Sequence, residues 1–306
     1  MGRHHVRVYS ELGSCHLVGV SDPNPDKSEL AQQFGAQFFP DHRALLEQGL
    51  DLVTVAAPTS LHYAIACDAI EAGANLLVEK PITDNLDTAA ELIAKAKAAG
   101  KTVAVGHIER FNPAVSELKG LIDGGELGEV LTVNALRVGP YHGRILDTGI
   151  VLDLGTHDVD LTSYLLGAHA ESVFATAIQR QHNHEDHAVL HLQFPEAKVA
   201  VIETSWLAPY RSRNVFVFGT KHFALCDLMN QEVWVYDENP EGGRLAAGSR
   251  QFDKGEPLRR EVESVVSSVI NGTKPVSTAE DSVYALNVCL AALKSIKQKM
   301  AVEIGG

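Results

Sequence analysis

Residues 51–81 read DLVTVAAPTSLHYAIACDAIEAGANLLVEKP. DLVTVAAP is a short apolar run closed by Pro58, the pattern of a strand buried on both faces. SLHYAIACDAIEAG follows with helical character, Ser60 placed as its cap and Gly73 as its stop. NLLVEKP is a second buried strand, ended by Pro81. Strand, helix and strand in this order form the unit from which parallel sheets with right-handed crossovers are built.

The alternation extends both ways from this unit. Upstream, CHLVGVSD (15–22) reads as a strand ending in Asp22, KSELAQQFG (27–35) as a helix closed by Gly35, and AQFF as a short strand before HRALLEQ, which Asp41 is placed to cap. A helix also opens the chain in MGRHHVRVYSEL, with no strand before it. Downstream come a helix in NLDTAAELIAKAKAAG and a strand in KTVAVGH. Beyond residue 113 the period changes. After the helix PAVSELKGLIDGG, long alternating strands (EVLTVNALRVG, ESVFATAIQR, HAVLHLQF, KVAVIETSWL, NVFVFGT, FALCDL, EVWVYD) are interrupted by a helix around VLDLGTHDVDLTSYLLG and followed by two more helices. The expected architecture is an α/β Rossmann-like, doubly wound parallel sheet over residues 1–112, then an α+β domain with a mostly antiparallel open sheet over 113–306.

Composition narrows the function classes. With 45% hydrophobic residues, the 306-residue chain can build two cores. A formal charge of −13 argues against a nucleic-acid partner, because phosphate neutralisation needs a basic face. No apolar run reaches the length of a membrane span, and no signal-like apolar segment opens the chain. Cys15, Cys67, Cys226 and Cys289 are far apart and form no CxxC pair, which points away from structural zinc or disulfides and toward the cytoplasm.

Several residues stand where chemistry would need them. Ligands of open parallel sheets bind outside the carboxyl ends of the strands. Asp22 lies at such an end, 20 residues after Gly2, where an acidic group bonds the adenosine ribose and repels a 2′-phosphate, favouring NAD over NADP. The plainer alternative is a strand-end Asp that opens the DPNPD turn. Glu79 and Lys80 end a later strand; a lysine there can reach a ribose or a reacting hydroxyl, or be simply solvated. Asp153 and His157 share a helix face, which suits a general base and its orienting carboxylate. In isolation such a pair is more often a surface contact worth on the order of 0.3 kcal/mol. Asp158 and Asp160 read as solvated or capping groups. Arg110 and Asn112 of HIERFNP follow the last strand of the first domain, at its ligand edge; Asn112 could equally start the helix at Pro113. His182, His184, His187 and His191 are assigned to a polar hairpin with an exposed strand face and not to a metal site, and His4 and His5 are discounted as members of the first helix.

The strand ending in Asp22, AAPTSLH, VEKPI, GHIERFNP and DTGIVLDLGTHDVDL, in that order, resemble the glucose–fructose oxidoreductase / inositol dehydrogenase (Gfo/Idh/MocA) family over nearly the whole chain. GHIERFNPAV, RVGPYHGRILDTG and GTHDVDL are most similar to the branch of 3-dehydrogenases of UDP-N-acetyl amino sugars. The resemblance implies an NAD-dependent oxidoreductase that takes hydride from a secondary alcohol of such a sugar. The alternatives are an inositol or other polyol or free-sugar dehydrogenase, and a non-catalytic nucleotide-binding sensor. It implies that Lys80, His157 and Asp153 are catalytic. Gly2, Arg3, Asp22, Ala57, Pro58, His62, Glu79 and Lys80 would bind the cofactor, and Arg110, Asn112, Arg144, Asp153 and His157 the sugar. It further implies a homodimer or homotetramer formed through the open sheet face, and gives the histidine-rich hairpin no role.

In the family a G-x-G-x-x-G turn separates the first strand from the first helix. Met1 and Gly2 match its last two letters. The expectation is therefore a chain short at its N-terminus, from a start assigned at an internal methionine or from a true truncation.

Overall fold

A computed structural model describes residues 1–141, 148–237 and 247–305, which form two compact units. The first comprises Met1–Ile108 and Glu256–Val283, the second Glu109–Gly255 and Tyr284–Gly306. A single cut near residue 112 would have left 256–283 with the second unit, whereas these residues pack in the first.

The first unit alternates as its sequence predicts: α1 (Gly2–Glu11), β1 (Gly19–Ser21), α2 (Ser28–Gln33), β2 (Gln37–Phe39), α3 (His42–Leu46), β3 (Leu52–Val55), α4 (Thr59–Glu71), β4 (Asn75–Val78), α5 (Leu86–Ala98) and β5 (Val103–Val105). All pairing among these strands is parallel, in two sheets, β1–β2 and β3–β4–β5. Local chemistry sets several boundaries. Asp41 accepts the amide of Arg43 at 2.9 Å, and Asn85 accepts that of Thr88 at 2.9 Å, each satisfying an orphan donor of a helix start. Gly73, at φ +88°, ends α4 in the left-handed region that glycine enters at no steric cost. Ser60 is not a cap, because α4 begins one residue earlier with Pro58 in the N-cap position.

The second unit begins with α6 (Pro113–Asp123) and β6 (Val130–Pro140). A π turn (Val151–Gly155) leads into α7 (Thr156–Leu166). The remaining strands are β7 (Ser172–Ile178), β8 (His187–Gln193), β9 (Val199–Ser205), β10 (Leu207–Gly219), β11 (His222–Asp227), β12 (Glu232–Asp237) and β13 (Ala247–Ser249). After α8 (Pro257–Asn271) in the first unit, α9 (Ala279–Gln298) carries the division between units, and β14 (Val302–Glu303) ends the second. The nine strands order β13-β12-β11-β10-β6-β9-β8-β7-β14. Every pair is antiparallel except β6–β9. β13 and β14 lie in stretches that carry no strand signal in the sequence.

One face of this sheet is covered. Ala188, Leu190 and Leu192 of β8 and Ala285, Val288 and Ala292 of α9 form one core cluster; α6 with Val215, Val217, Ala224 and Val233 forms another. Helix α7 joins the two, giving Val159 to the first and Leu161 and Leu165 to the second. The opposite face is open and apolar in part, exposing Phe174, Ile178 and Phe218.

Where β10 ends, a Cβ on Gly219 would lie 2.0 Å from the carbonyl oxygen of Leu127. Backbone must then move, so Gly219→Ala is expected to cost on the order of 2 kcal/mol, the middle of the usual range for overpacking. The urea midpoint reports it; an unchanged midpoint would contradict this close approach.

Candidate active site

In the first unit the resemblance residues gather at the carboxyl ends of the parallel strands. Asp22 directly follows β1, half-buried, and accepts the amide of Asn24 at 2.8 Å, so the turn role and the strand-end position coexist. α1 opens at Gly2 without a side-chain cap, which suits a phosphate against its first amides. Arg3 of that turn is exposed. Ala57 and Pro58 follow β3. His62 is buried, with Nε2 2.8 Å from the Ala57 carbonyl and Nδ1 2.9 Å from that of Pro81. Its ring ties the ends of β3 and β4 together instead of lining a surface.

Glu79, Lys80 and Pro81 follow β4, the Lys80–Pro81 peptide being cis. Glu79 is buried, and its Oε1 lies 2.7 Å from Nε2 of His5. Burial pushes its carboxyl up, but the hydrogen bond from His5 and the charges of His5 and Lys80 outweigh burial and hold it below the usual carboxylate range. Gly106 fits closely against it: a Cβ there would stand 3.1 Å from Oε2 of Glu79. His5, discounted as a polar residue of the first helix, is thus a buried partner of this site. Its distance of 74 residues from Glu79 hid it; the apolar neighbours Val6 and Val8 were the available signal.

In the second unit Asp153 lies in the π turn and His157 in the first turn of α7. Both are half-buried, while Thr156, Asp158, Val159 and Asp160 around them are buried. Asp158 and Asp160 are therefore not solvated. Asp158 receives Nε and Nη2 of Arg137, each at 2.8 Å, and the same guanidinium donates Nη1 to Glu109 Oε1 at 2.9 Å. Burial disfavours charge on Arg137, but Asp158 and Glu109 outweigh this and hold it protonated far above the ordinary value. Asp160 takes Nη2 of Arg110 at 2.6 Å and Nε at 2.9 Å, and Arg110 stacks 5.0 Å from the Tyr164 ring centre. Such fork-to-carboxylate pairs fix orientation as well as charge.

Asn112 caps α6 by accepting the amide of Ala114 at 3.1 Å, and donates to the Leu228 carbonyl at 2.9 Å. Arg110 and Asn112, given sugar contacts by the resemblance, thus have structural partners inside this unit. Arg144 lies outside the described residues.

The histidine-rich hairpin has work of its own. The Ile150 amide donates to the Glu185 carbonyl at 3.1 Å, and the Val151 amide to its carboxylate at 3.2 Å. Glu185 therefore supplies the acceptors that the helix of Asp153 and His157 needs at its start. Asp186 stabilises the hairpin turn: buried, it binds the amides of Arg180 and Gln181 and the ring of His182. Burial would raise its carboxyl, yet these donors bring it down to about 2. His182 packs against Tyr141 with ring centres 3.8 Å apart and planes tilted by 51°, beside Trp206. Among the described residues no group of three His, Cys, Asp or Glu is arranged to hold a metal ion.

Residues 1–107 match the description "Oxidoreductase family, NAD-binding Rossmann fold", and residues 115–224 match "GFO/IDH/MocA C-terminal domain". UDP-N-acetylglucosamine 3-dehydrogenase of Acidithiobacillus ferrooxidans is 30% identical over 99% of this chain and 94% of its own. The chain belongs to the Gfo/Idh/MocA family. A crystal structure of that Acidithiobacillus enzyme superposes with a TM-score of 0.89, at 27% identity over 97% of this chain and 95% of the other. The scyllo-inositol 2-dehydrogenase (NAD(+)) of Bacillus subtilis is 27% identical over 99% of this chain and 93% of its own. This family member is an NAD-dependent dehydrogenase acting on CH–OH donors, and its first unit is the NAD-binding fold. No helix among the described residues is long and apolar enough to cross a membrane.

Breaking the Arg110–Asp160 pair with Asp160→Leu should cost about 3–5 kcal/mol, because the buried guanidinium loses the carboxylate that neutralises it; adding Arg110→Met should recover most of it. Urea titrations of both variants check this, and equal losses in the two would contradict an uncompensated buried charge. Asp186 titrates lower folded than unfolded, so its stabilisation is complete above the ordinary carboxylate range and is lost as pH falls toward 2. Asp186→Asn should flatten that acid limb of the Tm–pH curve.

Proposed function

We propose that the chain oxidises a ring secondary alcohol of a UDP-N-acetyl amino sugar, as a 3-dehydrogenase. The observation that carries this reading is the end-to-end identity with the Acidithiobacillus enzyme, at 30%. When bound, NAD supplies the hydride acceptor.

The chain's own residues do the rest. His157 takes the hydroxyl proton as the carbon gives up hydride. Its Nδ1 is buried, so Nε2 is the nitrogen that receives the proton. Asp153, one turn earlier, accepts a hydrogen bond from a sugar hydroxyl and sets the position of the ring whose reacting hydroxyl His157 deprotonates. Lys80 offsets the negative charge that grows on the alcohol oxygen, where a fixed cation helps most. Asp22 holds the adenosine ribose, and its charge disfavours a 2′-phosphate. The open apolar sheet face pairs with a second copy of the chain, giving a homodimer or homotetramer.

Lys80→Ala and His157→Ala should each lower kcat by roughly 10²–10⁴, the usual worth of a positioned acid–base group, with Tm unchanged. NADH absorbance with UDP-N-acetylglucosamine and with myo-inositol as substrates reads the outcome. Unchanged turnover in both variants would remove the assigned roles, and a signal with myo-inositol alone would remove the nucleotide sugar.

A further inference from the structure

Strands β6 and β10 are neighbours, and Arg213 stands opposite Arg137 in their register. Side chains alternate along a strand, so Arg213 shares the face of the buried Val215 and Val217, as Arg137 shares that of Val133 and Ala135. Helix α7 runs back along β6 on this covered face: Asp158 meets Arg137, and Leu161 and Leu165 join the cluster that holds Val133. Positions beyond Arg137 on β6 therefore lie toward the start of α7, where Asp153 and His157 stand. Gly139 is there, and Arg211 lies against it: a Cβ on Gly139 would be 3.1 Å from Cγ of Arg211. The register slips at this point, so that residues 208–211 of β10 stand opposite Gly139 alone. Irregularities of this kind re-aim side chains beside sites.

The charges at this end of the sheet are unevenly matched. Arg137 takes Asp158 and Glu109 at normal bonding distances. Arg213 reaches only the same Oε1 of Glu109 that Arg137 already occupies, and at 3.4 Å. Its side chain is 41% exposed, and Arg211 is exposed. Burial, and then the charge of Arg137, push the Arg213 guanidinium below its ordinary value; Arg211 pushes the same way, and Glu109 and Asp158 do not fully offset them. In a chain of net charge −13, an anionic ligand needs local positive charge of this kind. Arg110 does not supply it, because its fork is held by Asp160.

We propose that Arg213, with Arg211 beside it, forms an anion subsite next to Asp153 and His157 and binds the diphosphate of the nucleotide sugar. This rests on the reading of the substrate as a UDP-linked sugar. The diphosphate hangs on C1 of the hexose, two ring carbons from the hydroxyl at C3. Its cations must therefore stand near the general base without touching the reacting atoms. Arg213 is joined to that neighbourhood through Glu109, Arg137 and Asp158, the residue after His157. A planar guanidinium can meet two phosphate oxygens at once, which a solvated lysine does not do.

Calorimetric titration of UDP into the intact protein, with NADH present to fill the dinucleotide cleft, tests this. Arg213→Gln and Arg211→Gln should each weaken UDP by about tenfold or more, the usual loss of a charge-assisted bond. Arg213→Lys, which keeps the charge without the fork, should recover part of the loss. Uridine, which carries no phosphate, should bind the wild type and the variants equally. With UDP-N-acetylglucosamine as substrate, most of the loss should appear in KM. Equal UDP affinity in the wild type and both glutamine variants overturns the proposal, as does a wild type that binds no UDP. Uridine weakened as much as UDP overturns the diphosphate contact. Should Arg213→Gln fail to fold, Arg211→Gln carries the test alone, because its side chain is exposed. Failure of the underlying reading shows separately, as no NADH formed from UDP-N-acetylglucosamine by the wild type.

Discussion

The helix that carries Asp153 and His157 is fixed by charge on its buried side. Asp158 and Asp160 point its buried side at Arg137 and Arg110, and Glu109 completes the neutralisation of Arg137. A buried pair adds little net stability relative to well-packed apolar side chains, but it penalises every arrangement in which the fork misses the carboxylate. Apolar packing alone would let α7 slide or rotate by a fraction of a turn between its two core clusters. The two arginine forks remove that freedom, and the half-buried face with Asp153 and His157 inherits the resulting precision.

The same helix is also held at its start. The π turn widens the helix at Val151–Gly155, and Glu185 takes the amides that this irregular start leaves over. π turns recur at functional sites because an extra residue re-aims the side chains around it. Asp186, below Glu185, keeps the hairpin folded so that Glu185 stays in reach. A histidine-rich segment that looks like surface decoration is therefore the far end of the support for the helix of Asp153 and His157.

Periodicity made the alternating first unit and the long strands of the second legible, and Asp41, Asn112 and Gly73 marked boundaries through local capping chemistry that needs only near neighbours. What stayed hidden depends on partners far along the chain. Asp158 and Asp160 look like surface acids until Arg137 and Arg110, 21 and 50 residues before them, arrive beside them. His5 acquires meaning only through Glu79, 74 residues further on. The resemblance named Lys80, Asp153 and His157 but was silent on these buried supports. It also gave ligand contacts to Arg110, Asn112 and His62, which the fold ties to backbone and carboxylate partners of their own.

The division of the chain has a consequence for its synthesis. The first unit contains Met1–Ile108 but also Glu256–Val283, whose α8 packs against α1 and against Leu77 and Ala104 of the parallel strands. The ribosome must therefore add about 150 residues between the two pieces, on the order of ten seconds of elongation. During that interval Val8, Leu12 and Leu77 wait without their cover, and the second unit's strands from β6 to β13 are all synthesised before the first unit is sealed. A dinucleotide-binding half that reads as the N-terminal domain is thus, in order of completion, among the last parts of the molecule to close.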